Sequence, residues 1–154
     1  KLTKYVEKNK KNPVYMYTDL MREGTDEQLI EAINIILKKY KQPKIQAIYG
    51  ANAAILQKDF EAARCKVKPV ANTELGQYTM ALIEAMTGKR EEAMKFHLKK
   101  DWMNASIEAN LAYTEQDYET FNRQADRAID EAAGMQYYSN YYVFKRMMDK
   151  INEA

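Results

Sequence analysis

Three side chains have the chemistry that catalysis uses: His97, Cys65 and Glu84. His97 is the only histidine and Cys65 the only cysteine of the 154 residues. A zinc site needs several such ligands at close spacing, and a di-iron bundle needs two Glu-x-x-His motifs. Neither can be assembled here, so no metal and no cofactor is expected. His97 falls near the expected buried face of a helix, where a packed structural imidazole is the simpler reading and a catalytic one the alternative. Cys65 stands between Arg64 and Lys66, and neighbouring cations can lower a thiol pKa. Consecutive helix residues point different ways, however, which makes Cys65 a small, semi-buried packing residue.

Glu84 sits among Leu82, Ile83 and Met86. Burial would raise its pKa and make it a candidate acid; a solvent-facing carboxylate, or one paired with a lysine of the next helix, is the simpler expectation. No Gly-x-Gly-x-x-Gly, Walker or Gly-x-Ser-x-Gly pattern occurs among five scattered glycines. The chain is therefore expected not to be an enzyme and to have no catalytic residues. A small enzyme using Glu84 or His97 stays as the lesser alternative.

The elements that would hold these residues are helices. Only five Gly and three Pro stand against nine Met, and apolar and charged contents of 46% and 30% are those of a folded soluble chain. A net charge of +2 is too small to favour nucleic acid as a partner. The excess of lysine gathers at Lys1, Lys4, Lys8, Lys10 and Lys11, a solvated helix end or a segment drawn to anionic lipid. One cysteine closes no intramolecular disulfide and leaves the redox compartment open. No apolar run is long enough to span a bilayer. The sequence opens on Lys1 and not on Met, so a membrane tether upstream of Lys1 is entertained. The protein is expected to be cytoplasmic or the soluble portion of a membrane-anchored protein.

Along the chain, Leu2, Tyr5 and Val6 have the spacing of a short amphipathic helix. Pro13 opens a helix that stops at Gly24, and Thr25 to Gln28 fits a capping box. The helix that follows carries Leu29, Ile33, Ile36 and Leu37 and is closed by Pro43. A third, rich in alanine, runs through Ile45, Ala51 and Ile55. Asp59 caps a fourth from Phe60 to about Val67, which Pro69 breaks. Asn72 or Thr73 opens a fifth, ending at Gly88. A sixth is expected from about Lys89 to Lys99, then a seventh through Ile107 and Leu111. Asp117 caps an eighth with Gly134 as its terminator. An aromatic ninth follows from Gln136 to about Asn152.

Four turns align, ending at Leu29, Ala63, Ala93 and Phe121, roughly thirty residues apart. Helix, capped turn and second helix at this period resemble the tetratricopeptide repeat. Ala63 and Ala93 match the family's small residue after the turn, and Phe60 and Tyr118 match its wedging aromatic. Ala51, Ala81 and Ala109 match small residues where first helices touch. Leu29, Phe121 and Arg90 depart from the pattern, and the usual first-helix signature is missing, with Trp102 at a repeat junction instead. The resemblance implies an all-α fold: an α-α superhelix of about four antiparallel hairpins, a solenoid with a C-terminal capping helix. It makes residues 1–154 one domain, with repeats at roughly 11–43, 44–72, 73–101 and 102–134 and a cap over 136–152.

It also implies a function, that of a non-catalytic scaffold holding a protein or peptide ligand in a concave groove lined by the first helix of each pair. Groove candidates are Arg22, Ile48, Asn52, Tyr78, Leu82, Asn110 and Tyr113, with asparagines able to fix a peptide backbone. Lysines for gripping a free carboxylate are not evident, which favours an apolar or aromatic segment. Equally open is that these residues pack on one another or on the terminal helix. The alternative function is a structural domain that forms a homodimer through its aromatic C-terminal helix.

Overall fold

The computed structural model describes residues 4, 8, 9 and 11–153. The amphipathic start at Leu2, Tyr5 and Val6 lies outside the described residues. Among those described, the chain is all-α: nine α-helices and one 3-10 turn, without a strand.

Helix α1 (Pro13–Glu23) places Pro13 in its first turn, where the missing N–H leaves nothing unpaired, and the Asn12 side chain accepts from the Val14 N–H. Helix α2 (Asp26–Lys39) opens with the full capping box: the Thr25 hydroxyl accepts from the Gln28 N–H, and the Gln28 side chain accepts from the Thr25 N–H. Pro43 does not close α2, which ends at Lys39; it begins α3 (Pro43–Leu56). The Gln46 amide fixes the corner between them by donating to the Leu37 and Tyr40 carbonyls, both at 2.7 Å.

Asp59 caps α4 (Phe60–Val67), and Pro69 converts the continuation into a 3-10 turn over Lys68–Val70. Thr73 caps α5 (Glu74–Met86) through the Gly76 N–H. Then the expectation of a long sixth helix fails: α6 is a single turn, Arg90–Ala93. Beyond it the Lys95 and Phe96 N–H groups reach back only three residues, to the Glu92 and Ala93 carbonyls. Phe96 and Leu98 instead turn onto Ala81, Ala85 and Leu111. Burial of two large side chains overrides local helix propensity here. The chain continues as α7 (Asp101–Thr114), α8 (Tyr118–Asp130) and α9 (Met135–Glu153). Gly134 is left-handed as expected, but α8 has already stopped at Asp130, so the glycine shapes the entry to α9.

Three of the four aligned turns are one structure. Lys58, Gly88 and Gln116 are left-handed, with φ of 58°, 76° and 62°. In each, the N–H of the next residue bonds to a carbonyl five positions back: Asp59 to Ala54, Lys89 to Glu84 and Asp117 to Ala112, all at 2.9 Å. This is the Schellman arrangement, which satisfies carbonyls the helix end would leave bare. That next residue is also the N-cap of the following helix. One tight element thus ends one helix and starts its partner. The first turn differs, since Gly24 is extended at φ −76°.

Counted from the left-handed residue, Ala51, Ala81 and Ala109 hold one equivalent position and are each 0% exposed. Ala63, Ala93 and Phe121 hold another and are 0%, 2% and 0% exposed. Two of the three turns place a side chain where glycine is favoured. Lys58→Gly and Gln116→Gly should each stabilise by about 1 kcal/mol. Scanning calorimetry should show Tm rising about 2–4 °C for each, and an unchanged Tm would mean the left-handed strain is relieved elsewhere.

Helices α3 and α4 enclose a core of Ala47, Ala51, Ala63 and Val67 that also takes Ile83 from α5. Helices α7 and α8 enclose a second, around Ala105, Ala109, Phe121 and Ala125, which Phe144 of α9 completes. Helix α9 therefore covers the fourth pair, its Asn140 amide donating to the Ala128 carbonyl at 2.8 Å. Its other side meets the first pair. Arg146 donates to the Met21 carbonyl at 3.3 Å and pairs with Asp26 at 3.2 Å. The row of helices closes end on end.

Candidate functional site

The first helices of the pairs contribute a repeating couple of residues one helical turn apart. Ile48, Tyr78 and Ser106 share one position relative to the turn; Asn52, Leu82 and Asn110 share the position four residues later. Residues so spaced lie on one face of a helix. The inner candidates therefore form two rows across α3, α5 and α7.

Tyr78 joins two of these helices. Its hydroxyl shares a 2.7 Å hydrogen bond with the Ser106 hydroxyl, and its ring meets Trp102 edge-on at 5.1 Å. Burial pushes the Tyr78 hydroxyl up to about 12, partly offset by that bond. Asn110 is buried, and its amide is spent on the Ser106 carbonyl at 2.9 Å. Ile48 is buried in the α3–α4 core. Leu82 packs against Ala81 and Ala85. Tyr113 turns toward α8, its ring 5.5 Å from Phe121 and 6.3 Å from Tyr118. Arg22, half-buried, lies 3.7 Å from Asp19 on its own helix. Asn52 is the exception: half-buried, its amide makes no hydrogen bond among the described residues.

A second aromatic pair, missed in the sequence because its members lie on different helices, joins α1 to α3. Tyr17 and Tyr49 meet edge-on at 5.7 Å. Burial, then Tyr49, pushes the Tyr17 hydroxyl up to about 12, with Arg146 opposing. Both Tyr17 and Tyr78 hold their protons more tightly when folded. The unfolded chain loses them near pH 10, so this stabilisation is complete below that pH and is lost as pH rises from about 10 to about 12. The urea midpoint should fall across that window, and less steeply in the Tyr17→Phe/Tyr78→Phe variant. Equal slopes would show that other groups carry the alkaline loss.

The three chemistry-bearing residues of the sequence do not form a centre. Glu84 is 15% exposed and accepts from Arg64 Nε at 2.7 Å. Its partner is thus an arginine of the preceding helix, and the carboxylate is committed. His97 is exposed, not packed, because α6 stops before it and the helical face assigned to it does not exist. Cys65 is exposed, not semi-buried, lying on the side of α4 away from Ala63 and Val67. A cavity of about 350 Å³ is bordered by Arg64, Cys65, Glu84 and Phe96 but not by His97. Among the described residues no group of three or more His, Cys, Asp or Glu could hold a metal ion.

Arg90, where the repeat pattern expects an aromatic, clamps the third turn to the fourth. It bonds both Glu115 oxygens, at 3.0 and 2.6 Å, and Glu108 at 3.2 Å. The Arg90 guanidinium holds the Glu115 carboxyl below the usual carboxylate range. Its forked geometry supplies contact between pairs without the apolar wedge.

No family model, curated protein or solved structure matches the chain. A functional assignment rests on its own residues. Among these, no described helix is long and apolar enough to cross a membrane.

Proposed function

We infer that the chain is a non-catalytic protein- or peptide-binding scaffold, a tetratricopeptide-like stack that meets the partner around Asn52 of its inner rows. The repeated Schellman turn and the equivalent alanines support the stack. Asn52 is the observation that carries the binding role. It occupies the position of Asn110, yet where Asn110 spends its amide within the protein, Asn52 keeps both donor and acceptor unspent among the described residues. An amide pairs naturally with the N–H and C=O of a peptide bond. Ile45 and Ile55 stand near it in sequence on α3, both half-buried, so the segment it suits is apolar or aromatic. The scaffold works in the cytoplasm or from a membrane tether.

The test is selection of binding peptides from a random library, followed by titration. Asn52→Ala should weaken the selected peptides about tenfold, the loss of one or two hydrogen bonds. Equal affinity for wild type and variant would remove the inner rows from the binding surface.

A second reading, oligomerisation through the aromatic terminal helix, is favoured by one observation. Tyr137, Tyr141 and Val143 of α9 are 41%, 41% and 39% exposed. Light scattering on wild type and on Tyr137→Ser/Tyr141→Ser decides it: a monomeric wild type, or a dimer that survives both substitutions, rejects this surface.

A further inference from the structure

Helix α9 is bound on two sides to two distant parts of the chain. Tyr138, Asn140 and Phe144 are 3%, 5% and 1% exposed. Phe144 meets Phe121 at 6.1 Å, and Arg146 reaches Met21 and Asp26. What aims α9 at those sites is a short linker, Glu131 to Gly134, after α8. Ala132 is already packed with Trp102 and Met103, as an extension of α8 would be. The bend therefore rests on the last residues of the linker.

Gly134 has φ +59°, and nothing lies within 4 Å of where its Cβ would stand. Its conformation is selected by the direction α9 must take, not by local packing. Glycine moves between left- and right-handed regions at little cost, and Glu131, Ala132 and Ala133 are helix formers. With residues 131–134 all helical, Gly134 right-handed among them, α8 and α9 run on as one rod of about 50 Å, at 1.5 Å per residue. The buried face of α9 then leaves its own chain. The surface shaped to receive it is the same surface on a second copy.

We propose that α9 is an exchangeable helix: two copies of this chain trade it, each seating the other's α9 against its own α8 and α1. The partner is thus a second copy, and the contact is the domain-swapped form of one already present within the monomer. This goes beyond the peptide-binding role and stands without it.

The experiment uses the full chain. Alanine resists left-handed backbone and asparagine tolerates it. In analytical ultracentrifugation Gly134→Ala should lower the dimer dissociation constant about tenfold or more relative to wild type, while Gly134→Asn should stay near wild type. To locate the contact, Cys65→Ser chains carrying Asp26→Cys and Arg146→Cys are joined with a short bismaleimide, with and without Gly134→Ala. Exchange gives covalent dimers on a denaturing gel in both backgrounds, at about tenfold lower protein concentration with Gly134→Ala than without it. Three results overturn the proposal: a monomeric Gly134→Ala at its highest soluble concentration, equal dimerisation of Gly134→Asn, or a dimer whose cross-linked products run as monomers. The last would place association on the outer Tyr137 and Tyr141 face.

Discussion

Replacing Phe121 with alanine is expected to cost about 3–5 kcal/mol. Its ring is 0% exposed, and it is the point where three helices share one core. From α8 it touches Tyr113 of α7 at 5.5 Å and Phe144 of α9 at 6.1 Å. Truncation leaves a cavity between elements that cannot all close on it, so the transfer loss and the cavity term add. Against a total stability of about 5–15 kcal/mol for an ordinary domain, that is a large share. The urea midpoint should drop accordingly. Tyr118→Ala, by contrast, removes a ring that is 38% exposed, two residues after the left-handed Gln116, and should cost far less. Similar losses for the two would mean that Tyr118 anchors the pair as firmly as Phe121 does.

The second large effect comes from the smallest side chain. Gly76 is buried in the first turn of α5, and a Cβ there would fall inside the Val70 carbonyl. That carbonyl already accepts from the Thr73 N–H at 3.0 Å and the Thr73 hydroxyl at 2.7 Å. It cannot retreat without breaking the cap that starts the helix. Gly76→Ala should therefore destabilise by about 3 kcal/mol through overpacking and the lost bonds. Gly50→Ala is the matched comparison: the new methyl would meet only the flexible Lys66 side chain, at 3.4 Å. There the gain in helix propensity, about 0.5–1 kcal/mol, should dominate. Opposite signs in the two urea melts are the expected outcome; two losses of equal size would refute the steric distinction.

Where the sequence was readable, a short-range bond did the work. Thr25 and Gln28, Asp59 and Ala62, Thr73 and Gly76, and Asp117 and Thr120 are pairs within three residues that fix helix starts, so their signature is local. The turn alignment was legible for the same reason, and it located the buried Ala51, Ala63, Ala81, Ala93 and Ala109.

What escaped was decided across the chain. Glu84 was given to solvent or to a lysine of the next helix, because its true partner, Arg64, is twenty residues back in the chain. His97 was placed on a helical face that vanishes when Phe96 and Leu98 prefer the core. Asn52 and Asn110 read alike in sequence, and the fold satisfies only the second, through the Ser106 carbonyl. Tyr113 reads as an inner residue but turns to α8 because Phe121 and Tyr118 offer it aromatic neighbours. Periodicity assigns a face; it does not say who occupies the space opposite.

The contact of Arg146 with Met21 and Asp26 bears on how the molecule comes apart. A linear array of repeats frays from whichever end is weaker, and each repeat opens almost independently of the far one. Here α1 and α9 shield each other, so loss of one uncovers the other. Amide protons in both helices should exchange with a single opening free energy, although they lie at opposite ends of the sequence. Forming that contact requires the whole intervening chain to be in place, which makes the last step of folding a closure and the first step of unfolding its reversal.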